Sequence, residues 1–387
     1  MGKKKILFVM SSLYNGGAEK SLVNLLCEMD YSRYDVDLLL FKPQGLFMNQ
    51  IPKEVNVLKR PKHLENLYND GISYNMGGLV KIVGTMFSKI IDKRYNYQKG
   101  FRWKWFYKNY LESLSGHYDI AFAGINGDIA YYVGDKVKAD KKICMVHNDY
   151  KSSEFPKKYD YKYFKKFDTI GSISESCVEI LKEYFPEFSD KIKILKNITS
   201  SKLIRNRAEE FYPKEYTYKN KLIILSVGRL STEKGFDLAI QAANILKEKE
   251  YAFIWYIIGS GMEENNLREM IKKYHVEEYV KLLGIRENPY PYIKNCNIFV
   301  QPSRFEGKSV VLDEAKILAK PILATNYPTV RDQLTDKEGI IVNLTARDIA
   351  EGILNLTETE QKKYSDYLST REYGNQDEIE KYYKIFE

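Results

Sequence analysis

Cysteine and histidine are scarce in this chain of 387 residues, with four of each. The cysteines (Cys27, Cys144, Cys177 and Cys296) lie far apart and form no Cys-x-x-Cys pair. That excludes a disulfide framework and a thiolate zinc site, and leaves them as reduced core residues. The histidines (His63, His117, His147 and His275) are equally scattered, so no metal cluster is visible. No apolar run approaches the roughly 18 residues needed to cross a bilayer. The first apolar run, Ile6 to Met10, is too short for a signal-peptide core and leads into a glycine turn, so it reads as a strand. Without a secretion signal, the sequons at Asn197, Asn343 and Asn355 are expected to be unused. Acids are in modest deficit, 52 against 60 Lys and Arg, for a net charge of +8. This suggests an anionic partner, but the charge is spread too widely to name one.

Apolar content is 44%, ample for large cores, and the length predicts two domains. Strands and helices alternate from the start. Lys5 to Met10 is a continuous apolar strand; Gly16-Gly17 turns into an amphipathic helix over Ala18 to Met29. Asp35 to Phe41, Val55 to Leu58, Tyr118 to Gly124, Lys142 to Val146, Phe167 to Ile173 and Ile192 to Leu195 read as further strands. The triplet Asp35-Val36-Asp37 resembles a metal-holding Asp-x-Asp, but it leads straight into a buried strand and is read as chance. Residues 200–220 are polar and aperiodic and read as the linker. After them the rhythm restarts, with strands at Leu222 to Val227, Phe253 to Ile258, Val280 to Leu283 and Ile298 to Val300, each running into a glycine or proline turn. The fold class is α/β, with parallel sheets covered by helices on both faces.

One segment breaks the rhythm. Between Lys81 and Tyr110 there are eight basic residues against one acid, Asp92, and nine aromatics, including Trp103 and Trp105. Such a pattern serves a membrane interface. It also serves stacking on single-stranded nucleic acid, or plain packing beneath a solvated basic face. The expected partner is an anionic membrane surface, not nucleic acid.

The most informative stretch runs from Ser303 to Thr325, reading as loop, helix and strand. Ser309 is a plausible N-cap for a helix from Val310 to Leu318. Glu306 lies in the loop before it, and Glu314 stands one turn after Val310, along the face where the first free amides emerge. Amides hold phosphate and carboxylates accept from sugar hydroxyls, which suits a nucleotide sugar. The bare spacing equally fits a helix with two acids near its start, where the dipole favours them. Arg229 and Lys234 follow one strand end on a glycine-flanked loop, a fork and a mobile point charge suited to a diphosphate. The alternative is two solvated surface charges. His147 falls just past the carboxyl end of a strand, where open α/β sheets place ligands. The Gly16-Gly17 turn fits either an anion-binding helix start or close strand–helix packing.

Taken together, GRLSTEKGFD, IGSGM, SRFEGKSVVLDEA and the GGAE turn resemble family four of the retaining glycosyltransferases, over nearly the whole chain. The resemblance implies a GT-B fold, two Rossmann-like domains facing across a cleft. Residues 1–203 would bind the acceptor, 204–372 the nucleotide-sugar donor, and a helix in 373–387 would cross back to the first domain. It implies that Arg229 and Lys234 neutralise the donor diphosphate, with no metal or other cofactor. Glu306 would contact hydroxyls of the transferred sugar and Glu314 those of the ribose. Amides near Ser309 and Val310 would face phosphate, and Gly17 would let its loop approach the diphosphate. His147 would touch the donor sugar and stabilise charge at the reacting carbon. The base would lie near Gly284 and Ile285, and the donor turns would include Gly228, Gly259 and Gly307. Family members often carry an aromatic or Leu where this chain has Lys308, which contacts an anionic sugar or acceptor or else reaches solvent. The implied activity is metal-independent retaining transfer, from a UDP-sugar by default, to a lipid-linked or cell-surface glycan of capsular, exopolysaccharide or teichoic-acid type. The enzyme would be cytoplasmic and peripheral on the inner membrane face. Alternatives are a soluble transferase acting on a small acceptor and a non-catalytic sugar-nucleotide-binding protein.

Overall fold

The computed structural model describes residues 2–14, 16–69, 75–151, 153, 155–217, 220–306 and 309–387. The chain divides into two units: Met1–Ile198 together with Gln376–Glu387, and Thr199–Asn375. Each is built on one parallel sheet.

The first unit's strands are β1 (Lys4–Met10), β2 (Tyr34–Leu40), β3 (Val55–Val57), β4 (Tyr118–Ala123), β5 (Ala139–Val146), β6 (Thr169–Ser172) and β7 (Ile192–Ile194). Their order across the sheet is β3-β2-β1-β4-β5-β6-β7. The central strands are continuous apolar runs because helices cover both faces. Alternation along β1 sends Leu7 and Val9 to one core and Ile6, Phe8 and Met10 to the other. The second unit contains β8 (Leu222–Val227), β9 (Phe253–Ile258), β10 (Val280–Gly284), β11 (Ile298–Gln301), β12 (Ile322–Thr325) and β13 (Gly339–Val342). Their order is β10-β9-β8-β11-β12-β13. Both sheets therefore reverse direction of growth once, between β1 and β4 and between β8 and β11. In such sheets the loops leaving the two switch strands diverge and open a crevice at the carboxyl edge.

Two sequence readings change, and the Asp-x-Asp triplet runs into a buried strand as expected. Residues 200–220, read as a linker, contain the helix Ser201–Ala208, whose N-cap Ser200 accepts from the Leu203 amide at 3.1 Å. Ile204 and Ala208 are buried in the second unit's core, so this helix is part of that unit. Its apolar spacing spans too few residues to register as periodicity. Asp37 of the Asp-x-Asp triplet lies inside β2, accepting from Tyr118 Oη at 2.9 Å and Asn56 Nδ2 at 2.7 Å. The basic aromatic segment is divided. Trp103 is fully buried and donates to Asp135 at 3.1 Å, while Lys108 pairs with the same carboxylate at 3.3 Å. Tyr107 and Arg102 are buried as well. Packing thus takes up part of its second half, while Tyr95, Lys104 and Trp105 stay exposed.

The last helix, Ile379–Phe386, completes the first unit's core with Ile379, Tyr382, Tyr383 and Phe386. Tyr383 stacks on Tyr34 at 5.5 Å between ring centroids, and Phe386 meets Phe8 edge-on at 6.3 Å. Lys4 and Lys141 donate to the carbonyls of Phe386 and Ile385, both at 3.0 Å, which satisfies acceptors that a helix end leaves open. Phe386→Ala is expected to destabilise the first unit by about 3–5 kcal/mol, the usual loss for a buried phenyl ring. Urea unfolding measures it, and a change under about 1 kcal/mol would show that this helix is not part of the core.

Candidate functional site

The second sheet's switch point brings together residues 72 positions apart in the chain. The loop leaving β8 carries Arg229 and Lys234; the loop leaving β11 carries Glu306. Lys234 Nζ donates to both oxygens of Glu306, at 2.6 and 2.8 Å. Glu306 is 7% exposed, and its Oε1 also accepts from Gln301 Nε2 at 2.7 Å and Ser303 Oγ at 2.8 Å. With three donors, Oε1 is fully engaged, whereas among the described residues Oε2 is hydrogen-bonded only to Lys234. Arg229 is exposed.

Backbone geometry makes this approach possible. Gly235 has φ +67°, and a Cβ there would lie 1.9 Å from the Pro302 carbonyl oxygen. Gly259, at φ +147°, would put a Cβ 1.8 Å from the Gly228 carbonyl oxygen. Only glycine lets these loop pairs touch. A second ion pair locks them: Arg304 donates from both terminal nitrogens to the two Asp237 oxygens, each at 2.6 Å. It also donates to the Thr232 carbonyl at 3.0 Å, and its own amide reaches the Glu233 carbonyl at 2.7 Å. Burial alone would push Asp237 up, but the guanidinium outweighs it and holds the carboxyl below its usual range.

For the following helix, Val310–Ile317, the N-cap is as expected and the expectation for its first amide changes. Ser309 stands at its N-cap, yet its hydroxyl donates to Gln301 Oε1 at 2.8 Å and makes no cap bond. Its amide, expected to face phosphate, donates to Gln333 Oε1 at 2.7 Å. Gln333 returns a bond from Nε2 to the Ser309 carbonyl at 3.1 Å, so a side chain 24 positions away satisfies both backbone groups. Glu314, expected on the amide face, is fully buried, with Oε1 3.4 Å from Tyr290 Oη. Its position falls on the side of the helix turned toward the helix Tyr290–Asn295. Val310 is half-buried and Ile285 is 40% exposed beyond Gly284. Gly307 and Lys308 lie outside the described residues.

In the first unit, His147 stands just past β5, and its Nε2 lies 2.9 Å from the Gly124 carbonyl oxygen beyond β4. Burial holds this imidazole below the ordinary histidine value. Gly17 opens the helix Gly17–Glu28, and a Cβ there would meet nothing within 4 Å. Close packing therefore does not account for this glycine. His63 and His117 pair with Glu112 and Asp140 at 2.8 and 2.7 Å. Sequence reasoning missed Gln301, Ser303, Arg304, Asp237 and Gln333. The available signal was a polar residue closing each apolar run, as Gln301 closes Ile-Phe-Val-Gln.

Residues 208–375 match the family model described as glycosyl transferases group 1. An N-acetylgalactosaminyltransferase of Campylobacter jejuni, named for a diphospho-undecaprenol substrate, is 31% identical over 213 residues, 54% of this chain and 56% of that protein. An amylovoran biosynthesis glycosyltransferase of Erwinia amylovora is 29% identical over 132 residues, 34% of this chain and 37% of that one. The chain thus spans about half or less of the length of these relatives. Anabaena HepE, solved with UDP and glucose, superposes with a TM-score of 0.62 at 16% identity over 95% of this chain and 93% of its own. This last likeness establishes the fold as GT-B, with two Rossmann-like domains.

A histidine held below its unfolded value near 6.5 takes up its proton more readily after unfolding. Falling pH therefore removes stability, starting near that value, and rising pH above it brings no further change from this group. NMR titration should show His147 more than half neutral at pH 6.5, and a His147→Asn variant should have a shallower acid-side stability slope. A ring that titrates at or above 6.5 would contradict the burial argument.

Proposed function

We propose that this chain, whose residues 208–375 form a group 1 glycosyltransferase domain, is a retaining glycosyltransferase that uses a nucleotide-sugar donor, UDP-linked by default. The observation that carries the reading is the Lys234–Glu306 pair at the β8/β11 switch, with exposed Arg229 on the same β8 exit loop as Lys234. Lys234 has three donors and Glu306 takes two, which leaves one for a diphosphate oxygen. Glu306 Oε2 keeps accepting capacity for a hydroxyl of the transferred sugar. Arg229 supplies a planar fork for the same diphosphate. These two cations stabilise the leaving group, so the proposal needs no metal. Buried Glu314 is assigned to the ribose hydroxyls, and the backbone beyond Gly284 to the base. The first unit binds the acceptor, with His147 and Gly17 as its catalytic and loop residues. The leaving phosphate assists deprotonation of the acceptor hydroxyl in a front-face transfer, with no covalent intermediate on the protein.

The acceptor we propose is a lipid-linked or cell-surface glycan precursor, and the enzyme works peripherally at the inner face of the cytoplasmic membrane. Support comes from the diphospho-undecaprenol and amylovoran relatives and from the exposed apolar residues of the first unit. No described helix is long and apolar enough to cross a membrane.

A hydrolysis screen over several nucleotide sugars, with and without EDTA, tests the donor and metal assignments. Turnover that collapses with EDTA would overturn the metal-independent reading. Lys234→Ala should lower turnover at saturating donor by roughly a hundredfold or more, about 3–5 kcal/mol of transition-state stabilisation. Near-full turnover in that variant would sink the diphosphate assignment. Glu314→Gln should mainly raise the donor KM, and Glu306→Gln should lower kcat as well. An equal collapse of kcat in both, with donor binding unchanged, would instead make them an acid–base pair.

A further inference from the structure

The helix Met76–Ile91 in the first unit is built inside out. Its buried positions are Gly77, Gly78, Gly84 and Ser88, while Met76, Leu79, Ile82, Met86, Phe87, Ile90 and Ile91 are exposed. Exposure reaches 64% at Met76 and 75% at Ile90. The glycines are needed on the inner side: a Cβ at Gly77 would lie 2.8 Å from Asn66, and one at Gly84 3.3 Å from the Phe106 ring. Lys81 turns inward as well, donating to the Asn69 carbonyl at 3.2 Å. An ordinary surface helix does the reverse, burying its large apolar residues and solvating the small and polar ones. At 16 residues the helix is about 24 Å long, so the apolar face runs along most of a small domain's flank.

The rim of this face has its own chemistry. Lys89 and Lys93 are exposed at its carboxyl end. Tyr95 and Trp105 are exposed beside it, with Lys99 and Lys104 placed 4.6 and 4.3 Å over their rings. The acid in this segment, Asp92, is taken up by Arg94 at 2.8 and 3.0 Å. We infer that the helix Met76–Ile91 docks in the plane of an anionic bilayer, its seven apolar side chains inserted and Lys89, Lys93, Lys99 and Lys104 at the headgroups. Amphipathic side chains of this kind favour the boundary between hydrocarbon and water. A second copy of this chain is disfavoured as the occupant, because it would set two positive rims against each other. The inference rests on the reading of a lipid-linked acceptor, and it makes the helix Met76–Ile91 the inserted element, with residues 93–105 supplying only its basic rim.

Flotation of the full chain with phosphatidylcholine vesicles, and with equimolar phosphatidylcholine and phosphatidylglycerol, tests it. The wild type should float with the mixed vesicles. Met86→Glu with Ile90→Glu should weaken partitioning roughly a hundredfold, about tenfold for each side chain of this size withdrawn from hydrocarbon. Lys89→Glu with Lys93→Glu should abolish the preference for phosphatidylglycerol. Neither pair should change the melting temperature or nucleotide-sugar hydrolysis. A wild type that stays soluble with both vesicles, or a Met86→Glu/Ile90→Glu chain that floats as well as wild type, overturns the proposal. So does a wild-type dimer in light scattering that this pair converts to monomer without any vesicle binding. Flotation without hydrolysis of any nucleotide sugar would uphold the docking and sink the donor reading alone.

Discussion

A lysine ammonium and a carboxylate at the crevice of a parallel sheet set the terms for the rest of the C-terminal unit. Lys234 and Glu306 meet because β8 and β11 are neighbours across the switch point, so side chains on their two exit loops reach into one crevice. Burying such a pair is costly unless the remaining lone pairs are satisfied. Gln301 and Ser303 do this for one carboxylate oxygen. The Arg304–Asp237 fork and the two glycine contacts then hold the loops at the distance that the pair requires. Removing the lysine would leave the buried Glu306 carboxylate with two neutral donors, both on Oε1, and breaking a buried pair in this way costs about 3–5 kcal/mol. Lost turnover in a variant that is still folded is therefore the signature of a functional pair.

Much of this was legible beforehand, and the reasons are local. Continuous apolar runs such as Ile-Ile-Leu-Ser-Val and Phe-Ile-Trp-Tyr-Ile-Ile announce strands buried on both faces, and they fold as β8 and β9 over nearly the predicted residues. Lys234 and Glu306 were picked out because their residue types and strand-end positions suit phosphate and hydroxyl ligands. Their contact with each other was not visible, because it depends on strand order. Nothing in the spacing of Gln333 and Ser309 indicates that one side chain spans both backbone groups of the other. The helix Ser201–Ala208 was missed for a different reason: eight residues with two buried apolar positions barely exceed two turns. Its cap, Ser200, was the better signal.

The basic aromatic segment shows how composition averages over unlike neighbours. Read as one stretch, its cations and rings suggested a single surface. In the fold, Asp135 collects Trp103, Lys108, Lys166 and Tyr163, so those groups serve packing. The apolar face that remains belongs to Met76–Ile91, where glycine marks the inner side. Close helix packing through glycine leaves large side chains no place except outward, and that assigns the two sides of this helix without any reference to charge.

Arg229 and Lys234 look equivalent in the sequence, five residues apart on one loop, but the fold treats them differently. A free lysine side chain loses up to about 2 kcal/mol of rotamer entropy when a ligand immobilises it. Glu306 has already fixed Lys234, so a diphosphate arriving there meets an ordered donor. Preorganised charge is worth most where charge develops during bond cleavage, because it need not rearrange at that moment. Arg229 is exposed, and in the proposed complex the diphosphate would have to order it. Its forked geometry compensates, because two parallel hydrogen bonds share the entropy lost by one side chain. The loop thus pairs a cation held by the β11 exit loop with an exposed one, and the division follows from the bond that Glu306 makes to Lys234.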